Sequence, residues 1–395
     1  MADNKDKKVL NVPALRFPEF TEEWKKIRLG DNCNIQMCKR IMAAQTNTEG
    51  GVPFYKIGTI GGKADAYISK DLFDEYKRKY SYPNKGEVMI TCAGTVGKCV
   101  IYDGEDSYYQ DSNIVWIDNP NEIISNDFLY HLLSNINWSY LNSTTIVRIY
   151  NDDLRNLKLC CPRLDEQKKI ANFLSLIDER IAAQNKIIED LRLLRDAIMV
   201  EHYRKCNKSE LYIYDIGEPF NVMNLSKDDL TKDGSPCIIY GELFTTYGCV
   251  IENVVSHTTK SPNSTLSTKG DLLFPASTTV DALSLIAPSS INEDGIILGG
   301  DMFGIHVNEQ YNSNYLSYYF NIIGKKNLAK FAKGSTIIHL HYADIQKAKI
   351  TLPNKNEQET VANLLLKVEH KLNIEQKMLI NYLNTKNFLL RQMFI

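Results

Sequence analysis

Two long stretches of this chain carry apolar residues every three to four positions, and the regions before them carry short runs bounded by turn residues. From Ile170, alternating steps of four and three fall on Ile170, Leu174, Ile177, Ile181, Gln184, Ile188, Leu191, Arg195 and Ile198. The same steps from Val361 fall on Val361, Leu365, Val368, Leu372, Glu375, Leu379, Tyr382, Lys386 and Leu389. Seven of the nine positions are apolar in each series, so each predicts a long helix with one buried seam. The polar breaks fall at equivalent steps, the pattern of coiled-coil helices whose register is set by a few polar residues. Asp165 and Asn356 are suitable N-caps, Glu166 and Glu357 sit in the first turn, and Glu359 is spaced to close a capping box. Residues 165 to 203 would extend roughly 58 Å, longer than a compact domain uses for its own core. An amphipathic helix lying on its own domain would explain the stripe but not that length. Upstream, VPFYKIG (52–58) and NIVWID (113–118) read as strands, with a helix predicted at 125–134 and another near 314–323.

The two stripes belong to an internal repeat. PRLDEQKKIANFLSLIDERI, from Pro162, returns as PNKNEQETVANLLLKVEHKL from Pro353, an offset of 191 that makes identical pairs of Glu166/Glu357, Gln167/Gln358, Ala171/Ala362 and Asn172/Asn363. The same offset pairs Thr145-Ile146-Val147 with Thr336-Ile337-Ile338 and Asp153-Leu154 with Asp344-Ile345. Further upstream the offset drifts: KGEVMITCAGTV (85–96) aligns with KGDLLFPASTTV (269–280), GVPFYKIGTI (51–60) with GSPCIIYGEL (234–243), and Leu29-Gly30-Asp31 with Ile216-Gly217-Glu218. The expected fold class is α+β, with two pseudo-repeated, β-rich domains separated by two long helices. Residues 1–160 and 208–352 form the domains, and 161–207 and 353–395 the helices. Two copies joined head to tail predict antiparallel helices related by a pseudo-twofold axis. One such register sets Arg195 against Glu375 and Gln184 against Lys386.

Composition changes this picture little. The 44% of hydrophobic residues never gather into the ~18 needed to cross a membrane, and the N-terminal MADNKDKKVL has no apolar signal core, so a cytoplasmic location and no membrane partner are expected. Nine cysteines without C-x₂-C spacing predict reduced, mostly buried thiols. A net charge of −2 means that a nucleic-acid ligand would have to be met by local basic patches or with help from partners.

The order LRFPEF-x₃-W (15–24), a variable region, a Ser/Thr-rich strand, Pro-x₃-Glu-Gln-x₂-Ile-Ala and a long helix, all then repeated, resembles the specificity subunit of type I restriction-modification enzymes over nearly the whole chain. That resemblance implies a non-catalytic subunit with two target recognition domains, each reading one half of a split sequence in double-stranded DNA. It implies an antiparallel coiled coil that sets half-site spacing and docks two modification (methyltransferase) subunits, which restriction (nuclease/translocase) subunits join. No cofactor is expected on this chain; S-adenosylmethionine, ATP and Mg would sit on the partners. A rigid helix pair suits a ruler between half-sites about one DNA turn apart, roughly 34 Å.

An enzyme would need chemistry that the sequence lacks. TCAGTVGK (91–98) approaches a phosphate-cradling G-x-x-x-x-G-K-[S/T] loop, but Cys92 and Cys99 occupy the first glycine and hydroxyl positions. The second copy reads PASTTVDA there, without the counterparts of Gly94, Gly97 and Lys98, as suits a strand and turn. Asp118-Asn119-Pro120-Asn121 lacks the second proline and the aromatic of an adenine methyltransferase site, and reads as a turn. His339-x-His341 would place two imidazoles on one strand face, as a zinc site might, yet copy one has Arg148 and Tyr150 there. The alternative of another class is a DNA methyltransferase or other nucleotide-using enzyme with a degenerate motif.

Local patches give the candidate DNA contacts. Tyr76-Lys77-Arg78-Lys79-Tyr80 interleaves cations with aromatics, although a solvated helix end would look the same. In copy two, Lys325, Lys326, Lys330 and Lys333 precede Gly334-Ser335-Thr336 and the segment bearing His339 and His341. Thr144, Thr145 and Arg148 hold the matching places in copy one. Arginine can read guanine bidentately, and Ser/Thr can contact bases or phosphates. Lys39, Arg40 and Lys98 complete the set.

Overall fold

The computed structural model describes residues 11–120, 123–141, 147–222, 225–259 and 265–395. They form two compact units, one running to Gln184 and taking back Met378–Ile395, the other comprising Asn185–Lys377. In the first unit, strand Lys25–Arg28 pairs antiparallel with Lys158–Cys161, closing the domain where the long helix departs. A four-stranded sheet runs in the order Asn34–Gln36, Ile114–Asp118, Val88–Thr91, Cys99–Ile101. Its apolar face packs on helix Asn126–Asn135, with Val88, Ile90, Val115, Phe128 and Leu129 fully buried. A smaller sheet joins Val52–Tyr55 to Tyr67–Ile68 and, in parallel, to Tyr108–Tyr109.

The second unit repeats this plan. Ser209–Tyr212 pairs with Lys349–Leu352. The sequence Gly217–Asn221, Met302–Val307, Asp271–Pro275 reproduces the first three strands of the larger sheet and packs on helix Ser313–Ile322. The two predicted short helices thus occur within a residue of their expected places, and the fold is α+β built twice.

Individual hydrogen bonds repeat as well. Gly86 and Gly270 both turn at positive φ (91° and 93°), and the next residue's carboxylate, Glu87 or Asp271, accepts the backbone N–H of Asn84 or Thr268 at 2.8 Å. Leu29 N–H donates to Leu157 O at 2.9 Å, and Ile213 N–H to Ala348 O at 3.2 Å. These bonds set Leu29-Gly30-Asp31 over Ile213-Tyr214-Asp215, three residues earlier than the expected Ile216-Gly217-Glu218. Strand pairing, not the shared Gly and acid, fixes the alignment there.

The repeated glutamine has a definite task. Gln167 Oε1 accepts from Ser125 N at 2.8 Å, while its Nε2 donates to the carbonyls of Pro162 and Ile123, both at 3.0 Å. Gln358 accepts from Asn312 N at 2.9 Å and donates to Pro353 O at 2.8 Å. Each is 1% exposed and ties the start of a long helix to the N-cap of the short helix in its unit. The paired glutamates differ. Glu166 is buried and takes both a bidentate bond from Arg16 (2.7 Å twice) and Trp24 Nε1 at 3.2 Å, so LRFPEF-x₃-W serves as a structural clasp. Glu357 instead meets the N-cap Asn354, its backbone N–H donating to Asn354 Oδ1 at 3.0 Å and its carboxylate accepting from Asn354 Nδ2 at 2.8 Å.

The long helices span Leu164–Lys205 and Lys355–Met393. They begin earlier than expected: Asn354, not Asn356, is the N-cap, Asp165 lies inside the first turn, and Glu359 approaches Lys355 at 3.7 Å instead of closing the box. In the first unit Ile170, Ala171 and Leu174 share a core with Leu389, Leu390 and Met393, and Asp178 pairs with Lys386. In the second, Met199 meets Val361, Ala362 and Leu365, and Arg195 pairs with Glu369 at 3.4 Å. Within both units the helices are therefore antiparallel. The two ion pairs are copies of one contact, since 178 to 369 and 195 to 386 are each 191 apart. The expected partners of Arg195 and Lys386, Glu375 and Gln184, are each displaced by six residues from the observed Glu369 and Asp178. A heptad stripe dictates which faces meet but leaves the axial slide open; here charges flanking the seam set it. Ile170, Leu174, Ile188, Val361, Leu365, Val368 and Leu372 are buried, and Ile177, Ile181, Leu191, Leu379 and Tyr382 half-buried.

Next to the first ion pair, His131 is buried at 1% exposure, with Nε2 3.3 Å from Ser175 Oγ and Nδ1 3.9 Å from Asp178. Burial lowers its pKa to about 4. All nine cysteines are free thiols. Burial pushes Cys92, Cys99, Cys161 and Cys249 up to about 12, which leaves them protonated and inert at neutral pH. No helix among the described residues is long and apolar enough to cross a membrane.

Candidate nucleic-acid interface

The glycine-rich stretch 91–98 continues strand Val88–Thr91 into a turn that returns as Cys99–Ile101. Gly94 (φ 66°) and Gly97 (φ 83°) take left-handed conformations. A Cβ on Gly97 would lie 2.1 Å from Trp138 Cδ1, and one on Gly94 2.7 Å from Ile57 Cδ1. Lys98 Nζ donates to the Ile60 carbonyl, and Thr91 Oγ1 accepts from Lys98 N at 3.0 Å. Glycines and lysine alike answer to packing within the unit. In the second copy the turn enters a short helix, Ala282–Leu285, that Asp281 caps through Ser284 N at 2.7 Å, with no glycine needed.

What adjoins this turn is more informative. Ile149 N–H donates to Cys92 O at 2.9 Å, and in the second unit Leu340 N–H donates to Ala276 O at 2.9 Å. Two residues later begin the short helices Asn151–Arg155 and Tyr342–Ile345, where Asp153 accepts from Tyr150 N at 2.7 Å and Asp344 from His341 N at 3.2 Å. Residues 148–150 and 339–341 are thereby held in matching frames. Arg148 lies half-buried with its guanidinium 5.7 Å from the Tyr150 ring, and its Nη2 donates to Ser112 O at 3.4 Å. Arg40 reaches Asp111 in the same turn at 3.7 Å, and Lys39 lies 5.3 Å over the exposed Tyr80 ring. The structure so gathers Lys39, Arg40 and Arg148 on one unit's surface. Thr144 and Thr145 fall outside the described residues.

The basic run at 76–80 ends helix Lys70–Lys79, but much of its charge is spent locally. Lys77 bridges to Asp106 at 3.0 Å and lies over the rings of Phe73 and Tyr82, and Lys79 pairs with Glu75 at 2.7 Å. Arg78 is exposed. In the second unit Lys326 and Lys330 are exposed on and beside helix Lys325–Ala329. Lys333 forms a two-way backbone bridge with His339 (2.9 and 2.7 Å) while its ammonium reaches Asp344 at 2.5 Å. Ser335 and Thr336 are exposed in the intervening turn. Only His339 lies on a strand; His341 precedes the next helix, yet their rings stack 6.1 Å apart at 14°. No group of three or more His, Cys, Asp or Glu placed to hold a metal occurs among the described residues. The sequence set Tyr150 opposite His341 in the repeat without placing it among the candidate contacts, and the turn at 111–113 carried no signal.

A family model described as the type I restriction modification DNA specificity domain matches the chain twice, over residues 21–193 and 213–384. A protein provisionally named a type I restriction enzyme specificity subunit, from Haemophilus influenzae, is 46% identical over 200 residues, a match spanning 50% of this chain and only 49% of that protein. The MjaVIII type I specificity subunit of Methanocaldococcus jannaschii is 24% identical over 94% of this chain and 92% of its own. Among solved structures, the S subunit of a type I restriction-modification system from M. genitalium superposes with a TM-score of 0.62 at 16% identity, covering 97% of this chain and 99% of that one. A chain from a structure of a type I system, described for complex assembly and conformational transition, gives 0.51 at 15% identity over 94% and 97%. At such identities these likenesses concern the fold.

Proposed function

Because the chain belongs to the family of type I restriction-modification DNA specificity domains, carrying the domain twice, we propose that it is the sequence-recognition subunit of a type I restriction-modification complex. Each unit reads one half of a bipartite site in double-stranded DNA, and the helix pair sets the distance between the halves. The observation that carries this reading is duplication down to single hydrogen bonds, Gln167 and Gln358 above all, with different exposed side chains at matching places. One frame presented twice with altered contacts suits two readers of different sequences. Catalysis, S-adenosylmethionine, ATP and Mg belong to modification and restriction subunits that the helices help to assemble. The methyltransferase alternative loses its chief support, since Gly94 and Gly97 are explained by packing against Ile57 and Trp138.

The test is binding, by the chain with its modification partner, to DNA carrying both half-sites at varied separation. Affinity should peak at one spacer length and fall for spacers one or two base pairs longer or shorter. Inserting one helical turn into both long helices should move that optimum. Affinity indifferent to spacer length would refute the ruler, and tight S-adenosylmethionine or ATP binding by the chain alone would favour the enzyme reading.

A further inference from the structure

Resting on the recognition reading above, we infer that Arg148 with Tyr150, and His339 with His341, are the base-reading pairs of the two units. Both pairs flank a buried residue, Ile149 or Leu340, whose backbone N–H is bonded to the end of the central strand at 2.9 Å. With the middle residue turned inward, alternation along an extended segment directs its two neighbours outward. Tyr150 is 59% exposed and His341 is exposed, with Arg148 and His339 half-buried beside them. A carboxylate at the start of the next helix, Asp153 or Asp344, pins the far end of each segment.

The side chains held in this doubly built frame differ in identity and share a geometry. In one unit a guanidinium lies 5.7 Å from a phenol ring, and in the other two imidazoles stack at 6.1 Å. All four are planar groups with polar edges, and stacking restricts their rotation before any ligand arrives. A guanidinium presents parallel N–H donors that fit guanine N7 and O6, while an imidazole offers one donor and one acceptor. A packing role would require neither exposed rings nor polar edges.

A second observation points to the same surface. Ser112, whose carbonyl accepts from Arg148, has φ 47° and is the one non-glycine residue at positive φ among the described residues. Its counterpart is Gly300 at φ 94°: Cys92 N bonds Asn113 O at 2.7 Å, and Ala276 N bonds Asp301 O at 2.8 Å, one residue beyond each. The turn that glycine makes freely in one unit is made by a serine where its carbonyl holds the arginine. Backbone held by its surroundings in a sparsely populated region clusters at functional sites.

Methylome sequencing of cells co-expressing the full chain with its modification partner tests this, because it reports both half-sites and the spacer. R148A should relax one base pair of one half-site, cutting discrimination there on the order of ten- to a hundredfold, and leave the other half-site and the spacer unchanged. R148K should not restore it, since an ammonium lacks the paired donors. H339A/H341A should relax the other half-site alone. Should an alanine variant fail to assemble, R148Q and H339Q/H341Q keep bulk and polarity and are read in the same way. Unchanged motifs, or methylation weakened evenly with every base preference intact, would overturn the base-reading assignment while the split motif of the unaltered chain upheld the recognition reading. Absence of any split motif from the unaltered chain would instead sink that reading itself.

Discussion

Replacing Gln167 by alanine should be among the most damaging single changes in the first unit, although the residue touches no ligand. The side chain makes three bonds of 2.8–3.0 Å at 1% exposure, and alanine would leave the Ser125 N–H and two carbonyls without them. A buried donor stranded in this way costs about 1–3 kcal/mol, and under-bonded carbonyls add somewhat less. The expected loss is about 3 kcal/mol. For a unit of about 200 residues, each kcal/mol moves the midpoint roughly 2–4 °C, so Tm should fall by roughly 6–12 °C. Gln358 makes two of the three equivalent bonds, and Q358A should destabilise its unit by about two thirds as much. Q167E sharpens the argument, because a carboxylate can still accept from Ser125 N but cannot donate to Pro162 and Ile123, and at neutral pH it should be no better tolerated than alanine. Differential scanning calorimetry of the purified chain reads all three variants. A Q167A midpoint within about 2 °C of the unaltered protein would refute the idea that this glutamine joins helix to domain.

Three other outcomes follow from the same geometry. Double-mutant cycles should give coupling of about 0.5–1.5 kcal/mol for Asp178 with Lys386 and for Arg195 with Glu369, both partly screened, and none for Arg195 with Glu375; the reverse would mean a different helix register. Gly97→Ala should cost about 2 kcal/mol or more in urea unfolding, through its φ of 83° and its contact with Trp138, and a neutral result would remove packing as the reason for that glycine. His131, with a folded pKa of about 4, is neutral in the native state between pH 4 and 6.5 while the unfolded chain binds a proton there. Its contribution is therefore complete above pH 6.5 and declines as pH falls toward 4, by on the order of 3 kcal/mol; urea midpoints across that range should lose this slope in H131F, and an unaltered slope would show that another group is responsible.

The duplication was legible in the chain because identical residues recur at one offset, and so were the long helices, whose seam residues stand at heptad spacing. Orientation could be read as well, since a head-to-tail duplication favours antiparallel partners. Register could not. Asp178 and Glu369 flank the seam, and nothing in a stripe of Ile and Leu says how far one helix slides along another. The N-caps were misjudged for a related reason: Asn356 and Asn354 are equally good cap types, and the choice between them falls to Gln358, whose bond to Pro353 fixes where the helix can begin. At the candidate interface, Arg148, His339 and His341 stood out by charge and by repeat. Ser112 did not, because a strained serine has no signature in sequence and shows itself only as a torsion angle.

The duplicated ion pair has a further consequence. Each long helix bears one acid and one base seventeen residues apart, Asp178 and Arg195 in the first, Glu369 and Lys386 in the second. Either helix alone therefore encodes both sides of the contact, and its complement is a reversed version of itself. Two strands of one chain obey the matching rule of a palindrome: an altered acid in one must be answered by the base of the other, and a change made in one copy only leaves one clasp fastened and the other open.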